Sequence, residues 1–421
     1  MSQCPFANLL DPDTYAEGMP YDALRAIREA GPIVKMDDPI TGIPYWVVTR
    51  QAKLDYISKN PQLFSSAERS PFPAEYDDWV IEDVHKKTII GMDPPEHQVV
   101  RRIMRAAFTP KNVDAYEPLL RKHAKSIVDA VAQRGECEFV EEVAAELPLI
   151  TILELLSVPL EDRKKFFDWT NTMIFADDPD MSVDEMAGQL AAAEVIGYAN
   201  NLAAQYRENP TESLLGALLD GEVKGRKITE EEFGWMFILI LVGGNESTRT
   251  VIAQGMRLLM ENPDQLQYLV DNPDKIGNAC EEMLRYNTAF ISMRRTAMED
   301  CEVGGQLISK GDKIVLHYHT INQDEDTFGE DAMTFDVRRA EAMPDLYNQH
   351  RSFGIGQHFC IGSHLARLEL NIMMEEIIPR LRNPKFAGEP KYVRSFFVNA
   401  MKEMHITFDK ETKEDAKVEA A

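Results

Sequence analysis

The stretch Phe353-Gly354-Ile355-Gly356-Gln357-His358-Phe359-Cys360-Ile361-Gly362 decides how the chain is read. It sets one cysteine among glycines and then runs into a helical pattern, Ser363-His364-Leu365-Ala366-Arg367-Leu368-Glu369-Leu370. A cysteine in such a turn is usually buried and inert. The alternative is a thiolate ligand. A thiolate needs its charge met by backbone N–H groups, which approach sulfur best where no side chain intervenes. Gly354, Gly356 and Gly362 allow that approach, by positive φ or by admitting a close-lying macrocycle. The positive end of a helix starting just after Cys360 favours the anion as well.

Taken whole, the ten residues resemble the haem-binding loop of the cytochrome P450 family, Phe-Gly-x-Gly-x-His-x-Cys-x-Gly, at every specified position: Phe353, Gly354, Gly356, His358, Cys360 and Gly362. The resemblance implies haem b with Cys360 as the iron ligand, Phe353 on the proximal side and His358 at a haem propionate. Thiolate ligation pushes electron density toward iron and favours O–O cleavage.

The totals are compatible with that reading. The chain has 421 residues, 44% apolar and 27% charged, an ordinary globular composition with room for a large core. A net charge of -25 argues against general binding to nucleic acid or anionic lipid. The five cysteines are odd in number and lack Cys-x-x-Cys spacing, so neither a disulfide framework nor a zinc site is expected. No basic-then-apolar leader opens the sequence, and the most apolar run, Phe233 to Gly244, is shorter than the roughly 20 residues of a bilayer span. A soluble, cytoplasmic protein is the expectation.

Upstream, a helix at Tyr21 to Ala30 precedes a strand at Tyr45 to Thr49, and Phe64 to Pro73 reads as loop. Asp93-Pro94-Pro95-Glu96-His97 opens a helix that sets His97 and Arg101 on one face. Such a pair ordinarily means a solvated face. Its resemblance to the family's His-x-x-x-Arg implies that both bind haem propionates, as Arg295 would by its position. Arg102, Arg105 and Lys111 add a basic cluster, a candidate docking face for an acidic electron-transfer protein.

Several helices follow from Val113 to Leu219, and Thr229-Glu230-Glu231-Glu232 is a capping box that starts a helix of about 33 residues. Gly243 and Gly244 sit in its middle at a cost on the order of 1 kcal/mol each. Close packing on a neighbour would explain them, and so would a groove where a ligand lies on backbone. Gly243-Gly244-Asn245-Glu246-Ser247-Thr248 resembles the family's oxygen-activating segment, with Ser247 where the first threonine is usual. The resemblance puts Gly243 beside the haem and gives Glu246, Ser247 and Thr248 to proton delivery. Serine still relays a proton but lacks the methyl that restricts χ1, so looser coupling is expected.

Glu282 and Arg285, on a helix read at Asp274 to Asn287, resemble the family's structural pair, with Arg339 as third member. His317 and His319 read as alternate strand positions rather than a metal pair. In Asn322-Gln323-Asp324 the arginine of many family members is missing, which puts one local contact in doubt.

The resemblance spans about Asp11 to Phe408 and implies a mainly α fold with a minor β-rich part, the haem lying between the long central helix and the Cys360 loop. One haem domain, 11–408, is expected between a flexible 1–10 and a disordered tail, 409–421. Leu239, Val242, Gly243, Phe290, Ile291 and Phe397 would wall a pocket for a terpenoid, steroid, fatty acid or alkane-like substrate. The implied reaction is hydroxylation with O2 by a monomeric monooxygenase, supplied with electrons by a separate ferredoxin or flavodoxin and its reductase. Peroxide-driven turnover, non-oxygenating P450 chemistry and a haem-based gas sensor or carrier stay open at this point.

Overall fold

The helix Glu230–Glu261 is the frame on which the rest is hung. Its capping box forms: the Glu232 backbone N–H donates to Thr229 Oγ1 at 3.1 Å, and the Thr229 N–H donates to the Glu232 carboxylate at 2.8 Å. A helix apolar on most sides needs neighbours on most sides. Helices Glu146–Leu155, Arg163–Ile174, Ala187–Glu208, Ile276–Tyr286 and Ser363–Arg380 pack around it. Glycine lets them close in. A Cβ on Gly244 would lie 2.6 Å from Ile152 Cδ1, and one on Gly255 would lie 2.8 Å from Met283 Sδ. This computed structural model describes residues 7–38, 40–105, 108–175, 178–181, 186–210, 213–223 and 225–412.

A five-stranded sheet flanks the helices, in the order Ile33–Asp37, Pro44–Val48, Lys313–His317, Ser292–Ala297 and Phe64–Ser65. Only the Pro44–Val48 and Lys313–His317 pair is parallel. Alternation sends Trp46 and Val48 into one core cluster and Tyr45 and Val47 into another, so both faces are covered. The edge strand Phe64–Ser65 lies inside the stretch read as loop, where it pairs with Thr296 and Ala297.

The Glu282, Arg285 and Arg339 network forms as expected and is buried. Arg285 donates to both Glu282 oxygens, at 2.6 and 2.7 Å, and to the carbonyls of Asn322, Ala332 and Thr334. Arg339 Nε adds a bond to Glu282 Oε1 at 3.1 Å. These bonds fix the strand-to-loop segment leading to Phe353.

Two local readings change. His317 ends its strand, but His319 belongs to the short helix Tyr318–Asn322, so the two are not alternate strand residues. Each is buried with its own partner, Tyr15 for His317 at 3.3 Å and Asn399 for His319 at 3.2 Å. Gln323, in the place of the missing arginine, is fully buried and neither of its amide atoms has a hydrogen-bond partner. At the ends, Leu9 and Leu10 are core residues, and Glu411 is held by Arg380 at 2.9 and 2.8 Å. Residues 1–6 and 413–421 lie outside the described residues.

Candidate functional site

Cys360 sits in the turn before the helix Ser363–Arg380, and its N–H donates to Phe353 O at 2.9 Å, which closes the loop. Gly354 and Gly356 have φ of 68° and 74°, in the left-handed region that favours glycine. Gly356 is also tightly confined, since a Cβ there would meet Ser58 O at 2.5 Å. Gly362 has negative φ and serves instead as the N-cap, its N–H facing the sulfur. Burial among protein atoms pushes the Cys360 thiol up, while the Gly362 N–H, Arg101 and Arg367 pull it down. Cys360 nonetheless keeps exposed surface.

Beside this loop, four groups from three segments converge. The His97 and His358 rings lie 4.3 Å apart, and Arg295, from the strand Ser292–Ala297, acts on both. Arg101 lies one helical turn from His97 and donates to Phe359 O at 2.6 Å. Burial holds His97 down at about 4, with Arg101 and Arg295 adding to the effect; His358 is pushed well down by burial, then by Arg295, His97 and Arg101. Asp93 is the nearby carboxylate, but it is engaged with Ser65, Ser66 and Ala67. The His97 Nδ1 has no hydrogen-bond partner. His358 Nε2 lies 3.1 Å from Ser66 Oγ. Such a set of mutually repelling donors suits an anion with carboxylate arms.

On the central helix, Leu239, Val242, Gly243 and Ser247 keep partial exposure, as do Ile238 and Gly244, while Ile240, Leu241, Asn245 and Glu246 are buried. Leu239, Gly243 and Ser247 are spaced by four, hence on one face. Nothing lies within 4 Å of a Cβ built on Gly243. The two glycines therefore divide the explanations between them: Gly244 serves close packing, and Gly243 leaves open backbone. Ser247 Oγ donates to Gly243 O at 2.6 Å.

The three residues assigned to proton delivery are not brought together on that face. Glu246 is 1% exposed and ion-paired with Arg249 one turn on, and Thr248, also buried, lies against Glu369 of the helix Ser363–Arg380. Burial pushes the Glu246 carboxyl up and Arg249 pulls it down; Glu369 is pushed up to about 8 by burial. The predicted apolar wall is also only partly assembled. Phe290 and Phe397 stack at 5.1 Å and cluster with Ile174, Phe175 and Met181, and Phe72 joins at 5.2 Å from Phe397. Ile291 has no exposed surface and packs inside the protein, its N–H bonded to Phe397 O. Two further cavities, of about 170 and 350 Å³, are lined by residues that include Arg257 with Asn399 and Lys313 with Phe396, and Cys360 borders neither.

Arg249, Asn171, Ser66 and Glu369 were missed by the sequence reading. Only Arg249 left a signal there, its i, i+3 spacing from Glu246.

Comparison with known proteins matches this arrangement. The family described as Cytochrome P450 matches residues 276–392. A steroid C26-monooxygenase of Rhodococcus jostii is 36% identical over 407 residues, covering 94% of this chain and 84% of the relative. The chain belongs to the cytochrome P450 family. A linalool 8-monooxygenase of Pseudomonas putida is 32% identical, covering 95% of this chain and 98% of that protein. A Mycobacterium marinum cytochrome P450 solved with pseudoionone superposes with a TM-score of 0.86 at 30% identity, covering 97% of this chain and all of that one.

As a P450 monooxygenase the protein uses haem iron and O2, needs redox partners and acts on a hydrophobic substrate. The residues present fit such a cofactor. The donor cluster suits its propionates, the Gly243 face has room for a flat ring, and Cys360 is the sulfur beside them. Among the described residues no helix is long and apolar enough to cross a membrane.

Proposed function

We propose that this P450 binds haem b through Cys360 and hydroxylates an isoprenoid-type chain, of the sterol side-chain or terpenoid kind, near its methyl end. The observation that carries the cofactor reading is the convergence of His97, His358, Arg101 and Arg295 beside the Cys360 loop. Those four would hold the propionates, and Phe353, stacked 4.5 Å from the Arg367 guanidinium, would back the sulfur with Gly362. When bound, thiolate-ligated haem iron supplies O2 activation. The chain's own residues do the rest. Leu239, Val242, Phe290 and Phe397 exclude water and orient the substrate, while Ser247, with Glu246 and Thr248 behind it, moves protons. Support for the substrate class comes from the relatives, named for steroid C26 and linalool 8 oxidation, both methyl carbons of isoprenoid chains.

The redox partner in this reading is a ferredoxin or flavodoxin that docks on exposed Arg102, Arg105 and Lys111 near the proximal side. The enzyme acts as a cytoplasmic monomer with one haem domain, which takes in Leu9, Leu10 and Glu411 beyond the expected bounds of 11 and 408. The reduced, CO-bound spectrum tests the ligand: a strongly red-shifted Soret band is expected, and Cys360→His should lose it while the fold persists by circular dichroism. Added cholest-4-en-3-one or linalool should drive a low-to-high-spin change in the ferric protein. A histidine-type band in the unaltered protein would overturn the reading.

A further inference from the structure

Away from the Cys360 loop, two buried cations share one carboxylate oxygen. Lys313 Nζ and Arg294 NH1 both donate to Glu75 Oε1, at 2.9 and 3.0 Å. Their side chains are 2% and 5% exposed, whereas that of Glu75 is 31% exposed. The sheet accounts for the meeting of the two. Arg294 is the register partner of Val315, two residues from Lys313, so both cations lie on the Val315 face, and Arg295 lies on the opposite one. Lys313 and Glu75 line the cavity of about 350 Å³ together with Asp38, Leu10, Ile40 and Phe396. That volume is within the range of small-molecule sites. A buried ammonium and several apolar side chains thus border one space, and Ile40, 67% exposed, marks its solvent side.

The charges around this space leave a place for one anion. Asp38 is engaged by its own turn, accepting from the Ile40 N–H at 3.0 Å and from Thr41 Oγ1 at 2.6 Å. Lys313 Nζ otherwise faces the Tyr45 ring at 5.8 Å, and Arg69 and Tyr76 act on Arg294 from farther off. Glu75 alone bonds both cations, and it does so through a single oxygen. Arg294 Nε, also buried, has no hydrogen-bond partner. A carboxylate free of the chain has two oxygens to set against the ammonium and the guanidinium edge, and its exchange for Glu75 leaves the buried charge unchanged.

We propose that Lys313 and Arg294 form a binding site for the carboxylate of an amphipathic acid, which takes the place of Glu75 while its apolar body lies in the cavity beside Leu10, Ile40 and Phe396. The site is separate from the pocket at Cys360, which does not border the cavity.

Isothermal titration calorimetry of the ferric holoenzyme with dodecanoate, cholanate and dodecanol tests the site. Dodecanoate or cholanate should bind without a spin-state change at the haem, and the tighter of the two tells an open chain from a fused-ring body; dodecanol should bind more weakly. Lys313→Met, close in length, should weaken the acid about tenfold or more, the usual cost of one charge-assisted bond, and leave dodecanol unmoved. Glu75→Gln should tighten it, because the resident carboxylate no longer competes. That variant leaves two cations buried without an anion, so its thermal unfolding midpoint should fall and return with the acid but not with the alcohol. Absence of acid binding, dodecanol binding as tightly as the acids, or an acid affinity unmoved in Lys313→Met overturns the proposal. An acid that binds with unmoved affinity in that variant and shifts the spin state is a ligand of the Cys360 pocket instead.

Discussion

Two glutamate–arginine pairs, each three residues apart on a buried helix, serve opposite purposes. Around Arg285 every nitrogen of the guanidinium donates, to Glu282 and to three backbone carbonyls, and Arg339 binds the same carboxylate. Around Arg249 the guanidinium pairs with Glu246 Oε2 and donates to Asn171, and Asn245 donates to Glu246 Oε1, but Arg249 Nε has no hydrogen-bond partner and two rings complete the setting. A buried pair is rigid only when its remaining donors and acceptors are also met. The first pair has every guanidinium donor met, and the second leaves one of them, Arg249 Nε, unmet.

The largest expected effect lies in the scaffold. Arg285→Met should cost about 3–5 kcal/mol, because it leaves the Glu282 carboxylate buried with one remaining cation and strips donors from three carbonyls. A urea titration of the holoenzyme would show a correspondingly lower midpoint. Arg285→Lys should recover little, since one ammonium cannot span the same acceptors.

Acid acts on the stretch around His85 as well. His85 is packed edge-on by Phe72 and Tyr76, with ring centroids at 4.9 and 4.6 Å, and burial holds its pKa down at about 4. The unfolded chain takes up that proton near pH 6.5, so the segment keeps its full stability above 6.5 and loses it as pH falls to about 4. The total is roughly 3 kcal/mol. Limited proteolysis should find the stretch around residues 66–92 increasingly cut as pH falls from 6.5 to 4. His85→Phe should flatten that dependence.

Much of this contrast could be read beforehand and part could not. The Cys360 loop, the capped central helix and the Glu282, Arg285 and Arg339 network were legible because each is carried by residue types at fixed local spacing. The donor cluster was legible through its motifs, although its three segments are distant in sequence. What stayed hidden depends on tertiary neighbours. Glu246 turns toward Arg249 because Asn171, 78 residues earlier, holds the arginine there. Ile291 is drawn inward by the Phe397 carbonyl, and His319 leaves the strand because a helix starts at Tyr318. No spacing in the sequence announces any of these.

The smallest expected effect is the most discriminating. Arg249→Met alone should cost about 1–3 kcal/mol, since the buried carboxyl, already pushed up by burial, then takes up a proton and is left with an unmet polar group. Glu246→Gln with Arg249→Met should return to within about 1 kcal/mol of the unaltered protein, because no charge then remains buried and Asn171 loses only one bond. The corresponding double change at Glu282 and Arg285 cannot recover in this way: the carbonyls of Asn322, Ala332 and Thr334 would still lack the donors that Arg285 supplied. A double-mutant cycle on each pair, read by urea unfolding, should therefore give a coupling close to the whole single-site cost at Glu246 and Arg249, and only a fraction of it at Glu282 and Arg285. Equal fractions at the two sites would erase the distinction between the two pairs.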